Sequence, residues 1–370
     1  TLYHLIFVVK IKIIMKVSIL GNGLTSLTLA KLLTNQGIKV DIFLGKKFKK
    51  FNKIQTLGIS KSNIDFFNQN ILNINKFLWK IDRIEIYNEN LKNEKILDFE
   101  SKTKSLFSII RNFDIYNYLL KDTKKNKLIK FKKEINCNNL KRNNYKLIFN
   151  CDSQHSISKK FFNKKIKKNY NSFAHISILK HKKIIKNNVA SQIFTKNGPL
   201  AFLPISSTQT SVVYSAKGKK NVNFDYLIKK YNTKYKISKI YEPLSFELKS
   251  SNLRSYYHGN IIAFGDLLHK LHPLAGQGFN MTLRDLKKIL ELINFKKDHG
   301  LEIDTSICSD FEKNTKSNNY LFSNGIDFIY EFFNFENKLN TIKLSKLIKY
   351  LGKKKLINNF FTKFADNGIT

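Results

Sequence analysis

Two short stretches of this chain place residues at a spacing that could do chemistry. The longer reads Gly265-Asp266-Leu267-Leu268-His269-Lys270-Leu271-His272-Pro273-Leu274-Ala275-Gly276-Gln277-Gly278-Phe279-Asn280. It lies between an apolar run, Ile261 to Phe264, and a helical pattern from Thr282 to Ile293. A carboxylate directly after a strand, here Asp266, can accept hydrogen bonds from a polyol. Glycines just ahead of a helix, here Gly276 and Gly278, leave N–H donors open to an anion above them. The second stretch is Gly21-Asn22-Gly23-Leu24-Thr25-Ser26. Glycine in such a loop lets the backbone approach a pyrophosphate, while the helix dipole and unpaired N–H groups offset the negative charge. Ser26 stands where a third glycine is usual, and a small residue there still permits close helix-to-strand packing. Taken alone, the loop reads equally well as an ordinary tight turn.

The elements that must position these stretches are legible around them. Lys16 to Leu20 is a short strand. Leu27 to Gln36 carries Leu29, Leu32 and Leu33 at helical spacing and stops at Gly37, and Ile38 to Leu44 alternates as a second strand. That second strand ends Phe43-Leu44-Gly45, without the acid that ordinarily holds ribose hydroxyls. Further strands are expected at Tyr145–Asn150, Phe173–Leu179, Leu200–Leu203 and Ser211–Ser215, and a helical, aromatic and basic tail from Tyr320 to Phe364.

Composition narrows the function classes. A chain of 370 residues suggests two or three domains, each with a real core. No uncharged apolar run reaches the ~18 residues of a membrane-spanning helix. The net charge of +39 would suit nucleic acid or an anionic membrane, yet 61 of the 66 basic residues are Lys and Arg stands only at 83, 111, 142, 254 and 284. A nucleic-acid reader favours the bidentate fork of Arg, so nucleic acid is not expected as a partner. The lysines read as a solvated surface or as contact with anionic lipid. Cys137, Cys151 and Cys308 are odd in number and lack CxxC spacing, which points to neither a disulfide framework nor zinc and fits a reducing cytoplasm. His269 and His272 have no third ligand nearby, so no metal is expected. Residues 1–14 are expected to be an upstream extension, with Met15 as the natural start.

The pattern Gly265-Asp266-(x)2-His269-(x)2-His272-Pro273-Leu274-Ala275-Gly276-Gln277-Gly278-(x)-Asn280 resembles the second FAD-binding signature of the group A aromatic hydroxylases (flavoprotein monooxygenases), in its ubiquinone-biosynthesis hydroxylase form. Gly198-Pro199-Leu200-Ala201-Phe202-Leu203-Pro204, preceded by Phe194, is similar to the family's substrate-domain strand. Asn150-Cys151-Asp152-Ser153-(x)2-Ser156-(x)2-Lys159 resembles its Asp-Gly motif. With the N-terminal loop, the motifs run in the family's order from Lys16 to about Ile293. The departures are Leu267 and Leu268 in place of small residues, Leu44 in place of an acid, Asn150 and Ser153 in place of glycines, and Gln55 in the slot of an Arg.

The resemblance implies an α/β fold: a Rossmann-like FAD-binding domain at 15–75, 100–165 and 252–300, an inserted mixed β-sheet substrate domain at 76–99 and 166–251, and a C-terminal helical region at 301–370. It implies FAD as cofactor, NAD(P)H as reductant and O2 as co-substrate, with hydroxylation of a polyprenylated phenol in ubiquinone biosynthesis through a flavin C4a-hydroperoxide. A place in a ubiquinone-biosynthesis complex and peripheral attachment to the inner face of the cytoplasmic membrane would follow. The cofactor residues it implies are Gly21, Gly23, Leu24, Thr25 and Ser26 near the phosphates, Asp266 on the ribitol, and Pro273, Gly276, Gln277, Gly278, Phe279 and Asn280 beside the ring. Gln55 and Asp152 complete the set. No catalytic side chain is assigned, because the cofactor carries the oxygen-transfer chemistry and a backbone-lined pocket can suffice. A hydroxylase of a small soluble aromatic, or a non-catalytic scaffold, would share these motifs.

Overall fold

The computed structural model describes residues 15–45, 52–89, 94–100, 105–135, 140, 145–218, 220–271 and 277–338. The expectations for residues 1–14, Cys137, His272, Pro273, Gly276 and the tail beyond 338 lie outside them.

The chain opens with β1 (Lys16–Leu20), α1 (Leu24–Asn35) and β2 (Lys39–Phe43). In both strands four of the five residues are buried, as expected of strands covered on both faces. Helix α1 ends where Gly37 predicted. Gly37 N–H bonds to Thr34 O at 3.0 Å and Ile38 N–H to Leu33 O at 3.1 Å, the paired bonds of a Schellman stop. Then follow β3 (Thr56–Ser60), α2 (Lys61–Asn70), β4 (Trp79–Ile81), β5 (Arg83–Asn88), β6 (Glu94–Glu100), β7 (Phe107–Arg111), α3 (Asn112–Lys125), β8 (Ile129–Lys132), β9 (Leu147–Asn150) and α4 (Ser156–Phe161). A run of strands comes next: β10 (Lys165–His181), β11 (Val189–Thr195), β12 (Gly198–Pro204), β13 (Gln209–Lys217), β14 (Ile237–Ile240) and β15 (Leu244–Leu253), with α5 (Phe224–Tyr231) between β13 and β14. The chain closes with β16 (Tyr257–His258), β17 (Ile261–Ala263), β18 (His269–Lys270), α6 (Gln277–Asp298) and α7 (Ser306–Lys338).

These strands form three sheets. The first has the order β16-β17-β9-β1-β2-β8 and is parallel from β17 to β8. The second, order β18-β15-β10-β13-β12-β11-β5-β6 with β14 on β10, is antiparallel except where β11 meets β5. A three-stranded sheet, β3-β7-β4, buries Ile59 and Ile110 in the large core and packs Ile81 and Ile109 against Ala190 of the second sheet. One large core joins α1, the parallel sheet, α3 and α6, with Ile19, Leu27, Leu32, Phe149, Ile262, Phe264 and Leu286 all at 0% exposure. The second sheet covers its own face with α5 through Phe224, Leu227, Ile228 and Tyr231. The architecture is α/β with mixed sheets. Helix α7 ties the two layers together: Ile307, Cys308 and Phe311 enter the large core, while Phe332 packs among Ile96, Leu97 and Phe194 of the second sheet. No helix among the described residues is long and apolar enough to cross a membrane.

Candidate dinucleotide site

The register of the parallel sheet sets the site. Leu20 is level with Phe43 on one side and with Asn150 on the other, and Asn150 is level with Ala263. Four strands therefore end in one row, and the loops after β1, β2, β9 and β17 all leave from the same edge. Strand β1 has the sequence-adjacent β2 on one flank and the distant β9 on the other. That is the switch point beside which open α/β sheets bind ligands.

The loop after β1 is held from both sides. Gly21 adopts φ +101°, a conformation that side chains disfavour, and its N–H bonds to Phe43 O at 2.9 Å. Tyr116 on α3 donates its hydroxyl to Asn22 O at 3.2 Å. Helix α1 then begins on Gly23, which has extended backbone and no side-chain cap. The first-turn N–H groups of Leu24, Thr25 and Ser26 thus lack helical acceptors and point out of the helix end. Side chains at 24 and 26 face inward: Leu24 is 8% exposed and Ser26 is fully buried. These two can offer a ligand only their backbone. Burial pushes the neighbouring Cys151 thiol up to about 12, so it stays protonated and neutral at this edge.

The loop after β17 lies directly on this one. Gly265 has φ +62°, and a Cβ there would sit 2.7 Å from Thr25 Cγ2 and 2.9 Å from Thr25 Oγ1. The two glycine-bearing bends, far apart in sequence, are therefore in contact. Within the second bend Asp266 is exposed, while Leu267 and Leu268 are 1% and 0% exposed and belong to the large core. The two bulky departures from the family pattern therefore point away from the crevice. His269 is buried and bonds through Nε2 to Asp285 of α6, whose other oxygen accepts from Asn319 Nδ2 of α7 at 3.0 Å. This bolt fixes the bend to both C-terminal helices. Its one sequence signal is a charged residue, Asp285, among the apolar positions of a helix.

Helix α6 starts beside β3. Asn280, expected beside a ring, spends its amide on the scaffold: Nδ2 donates to Gly58 O at 2.9 Å, and Oδ1 accepts from Ser60 N and from Asn63 Nδ2, each at 3.0 Å. Phe279 is 8% exposed and packs in the core. Gly278 is different, because a Cβ there would meet nothing within 4 Å. Of Gln277 only the backbone is described, and Gln55, half-buried, accepts from Asn112 N–H at 3.0 Å through its carbonyl.

After β9 the turn is rigid. Asn150 Oδ1 accepts from Asp152 N at 3.2 Å, Asn150 Nδ2 donates to Ser158 Oγ at 2.8 Å, and Ser158 Oγ donates to Asp152 O. Asp152 Oδ1 accepts from Gln154 N at 2.8 Å. Asn150 thus supplies by side-chain bonding the turn that glycine would supply by conformation.

These features suit an FAD. The first turn of α1 offers uncapped donors for a diphosphate, Gly23 and Gly278 open onto space a Cβ would not fill, and Asp266 is an exposed carboxylate on the bend that rests on Thr25. Among the described residues no cluster of three or more His, Cys, Asp or Glu could hold a metal.

No family model matches the chain. The mitochondrial ubiquinone biosynthesis monooxygenase of Schizosaccharomyces pombe is 22% identical over 274 residues, covering 60% of this chain and 57% of that protein. The chain thus spans little more than half the length of this curated relative. Among solved structures, p-nitrophenol 4-monooxygenase of Pseudomonas putida superposes with a TM-score of 0.70 at 10% identity, covering 96% of this chain and 99% of the other. A probable FAD-dependent monooxygenase of Pseudomonas aeruginosa superposes at 0.67 and 12% identity, covering 88% and 97%. The chain is a homologue of the ubiquinone-biosynthesis monooxygenases and has the fold of the FAD-dependent aromatic monooxygenases.

Proposed function

We propose that this protein is an FAD-dependent monooxygenase that hydroxylates the aromatic ring of a polyprenylated phenol in ubiquinone biosynthesis, with NAD(P)H as reductant and O2 as oxidant. The observation that carries the reading is the single row of strand ends, with Gly265 seated on Thr25, which gathers the two glycine-bearing bends at one edge. The parallel-sheet unit is the FAD layer and the second sheet the substrate layer. The polyprenylated substrate rests on the relative's role in ubiquinone biosynthesis.

Bound FAD would pass electrons from NAD(P)H to O2 and supply the oxygen atom that reaches the ring. The chain's part is to bind, orient and shield. Backbone N–H groups of residues 24–26 hold the diphosphate, Asp266 accepts from the ribitol hydroxyls, and the start of α6 at Gly278 supports the ring's electron-rich end through its dipole. The His269–Asp285–Asn319 bolt keeps Asp266 and α6 in mutual register without touching the cofactor. No proton-transferring side chain is assigned in the crevice, because the cofactor carries the oxygen-transfer chemistry. Lysines facing an anionic leaflet, at ~1 kcal/mol each, would bring the protein to a lipid-tailed substrate.

The test is the visible spectrum of the purified protein, followed by NAD(P)H oxidation with a prenylated phenol and with the same ring lacking its tail. A flavin spectrum, and coupled turnover only with the tailed phenol, are expected. Protein that is colourless and takes up no added FAD refutes the proposal; equal coupling with both phenols refutes the lipid substrate alone.

A further inference from the structure

In dinucleotide folds a carboxylate at the end of the second strand holds the ribose hydroxyls of the adenosine. Here that strand ends Phe43-Leu44-Gly45 and offers none. The structure brings a different carboxylate to the same place. A Cβ on Gly45 would lie 2.7 Å from Asp152 Oδ2, and a Cβ on Gly21 would lie 3.2 Å from Asp152 Cβ. Asp152 therefore leans from the end of β9 across the end of β1 to the end of β2, over ground that a Cβ at 21 or 45 would crowd. Its other oxygen is occupied by Gln154 N–H, and its backbone is fixed by Asn150 and Ser158, so the side chain is held in this direction. No described residue donates a hydrogen bond to Oδ2.

Resting on the FAD reading above, we propose that Asp152 is the carboxylate that binds the adenosine ribose diol, replacing from β9 the acid that β2 lacks. Loss of the Leu44-position acid and retention of glycine at 45 are then two halves of one arrangement. Leu44 itself is exposed, so its slot can accept a new acid without disturbing the core.

The test uses the full chain stripped of flavin, with FAD binding followed by quenching of flavin fluorescence, and ADP or 2′,3′-dideoxy-ADP as displacing ligands. Asp152→Asn keeps the acceptor for Gln154 and should weaken FAD binding about tenfold or more, the scale of a hydrogen bond to a charged group. The parent should prefer ADP over the dideoxy form, and Asp152→Asn should lose that preference. Gly45→Ala should weaken FAD binding in the same direction, and no further in the Asp152→Asn background. Leu44→Glu in the Asp152→Asn background should recover both affinity and preference. Asp152→Asn protein that binds FAD as tightly as the parent, or that still prefers ADP, overturns the proposal while leaving the FAD reading intact. A parent that binds neither FAD nor ADP overturns both.

Discussion

Gly265→Ala isolates the contact between the two bends. The substitution has two costs that the structure separates. A non-glycine residue held at φ +62° costs roughly 1–2 kcal/mol. The new methyl also falls 2.7 Å from Thr25 Cγ2, and Thr25 is β-branched and stiff at χ1, so overpacking adds about 1–3 kcal/mol. The expected loss is about 2–5 kcal/mol, a large part of the stability of a domain. Gly37 supplies the control: it has φ +76° and a Cβ there meets nothing within 4 Å, so Gly37→Ala reads the backbone cost alone. Thr25→Ala supplies the complement, since it removes both of the nearest atoms and leaves only Thr25 Cβ, 3.2 Å away. Urea unfolding of the flavin-free protein, with the slope held common to all variants, should rank Gly265→Ala well below Gly37→Ala. Gly265→Ala should cost about 1–2 kcal/mol less in the Thr25→Ala background than alone. Equal losses for Gly265→Ala and Gly37→Ala, or no relief from Thr25→Ala, would show that the bends do not touch.

The remaining predictions separate cofactor effects from folding effects. Gly278→Ala should leave unfolding unchanged or slightly improved, because the position is open and helical, yet weaken FAD binding by tenfold or more in a fluorescence titration. Equal FAD affinity would remove Gly278 from the site. Asp285→Leu should destabilise by about 3 kcal/mol and His269→Leu/Asp285→Leu by less, since the double change also removes the stranded imidazole and leaves only the Asn319 amide without its carboxylate; calorimetry of the two variants checks the order. Asp41 is buried, and although burial alone would raise its carboxyl, bonds to Lys132, Tyr145 and Lys16 outweigh that and hold it below the ordinary 3.8. A depressed carboxyl stabilises the fold above its unfolded value and loses that contribution as pH falls through the folded one. Melting temperature should therefore fall less steeply below pH 4 in Asp41→Asn than in the parent, and parallel curves would contradict the assignment.

Local sequence determined the order of the first β-α-β unit and its glycine stop, because those signals are short-range, although α1 starts at Leu24, three residues before the leucine stripe placed it at Leu27. It also determined that Asp266 follows a strand and that Gly278 opens a helix, since both depend only on neighbours along the chain. Strand register was decided by the tertiary structure, which alone sets Leu20, Phe43, Asn150 and Ala263 level and so turns four separate loops into one site. It also decided the roles of residues whose type is ambiguous. Asn280 faces Gly58, Ser60 and Asn63 rather than open space, Leu267 and Leu268 turn into the core, and Asp152 reaches Gly45. A side chain's chemistry is written in its sequence, but its partners come from elements more than a hundred residues away, and only packing brings those together.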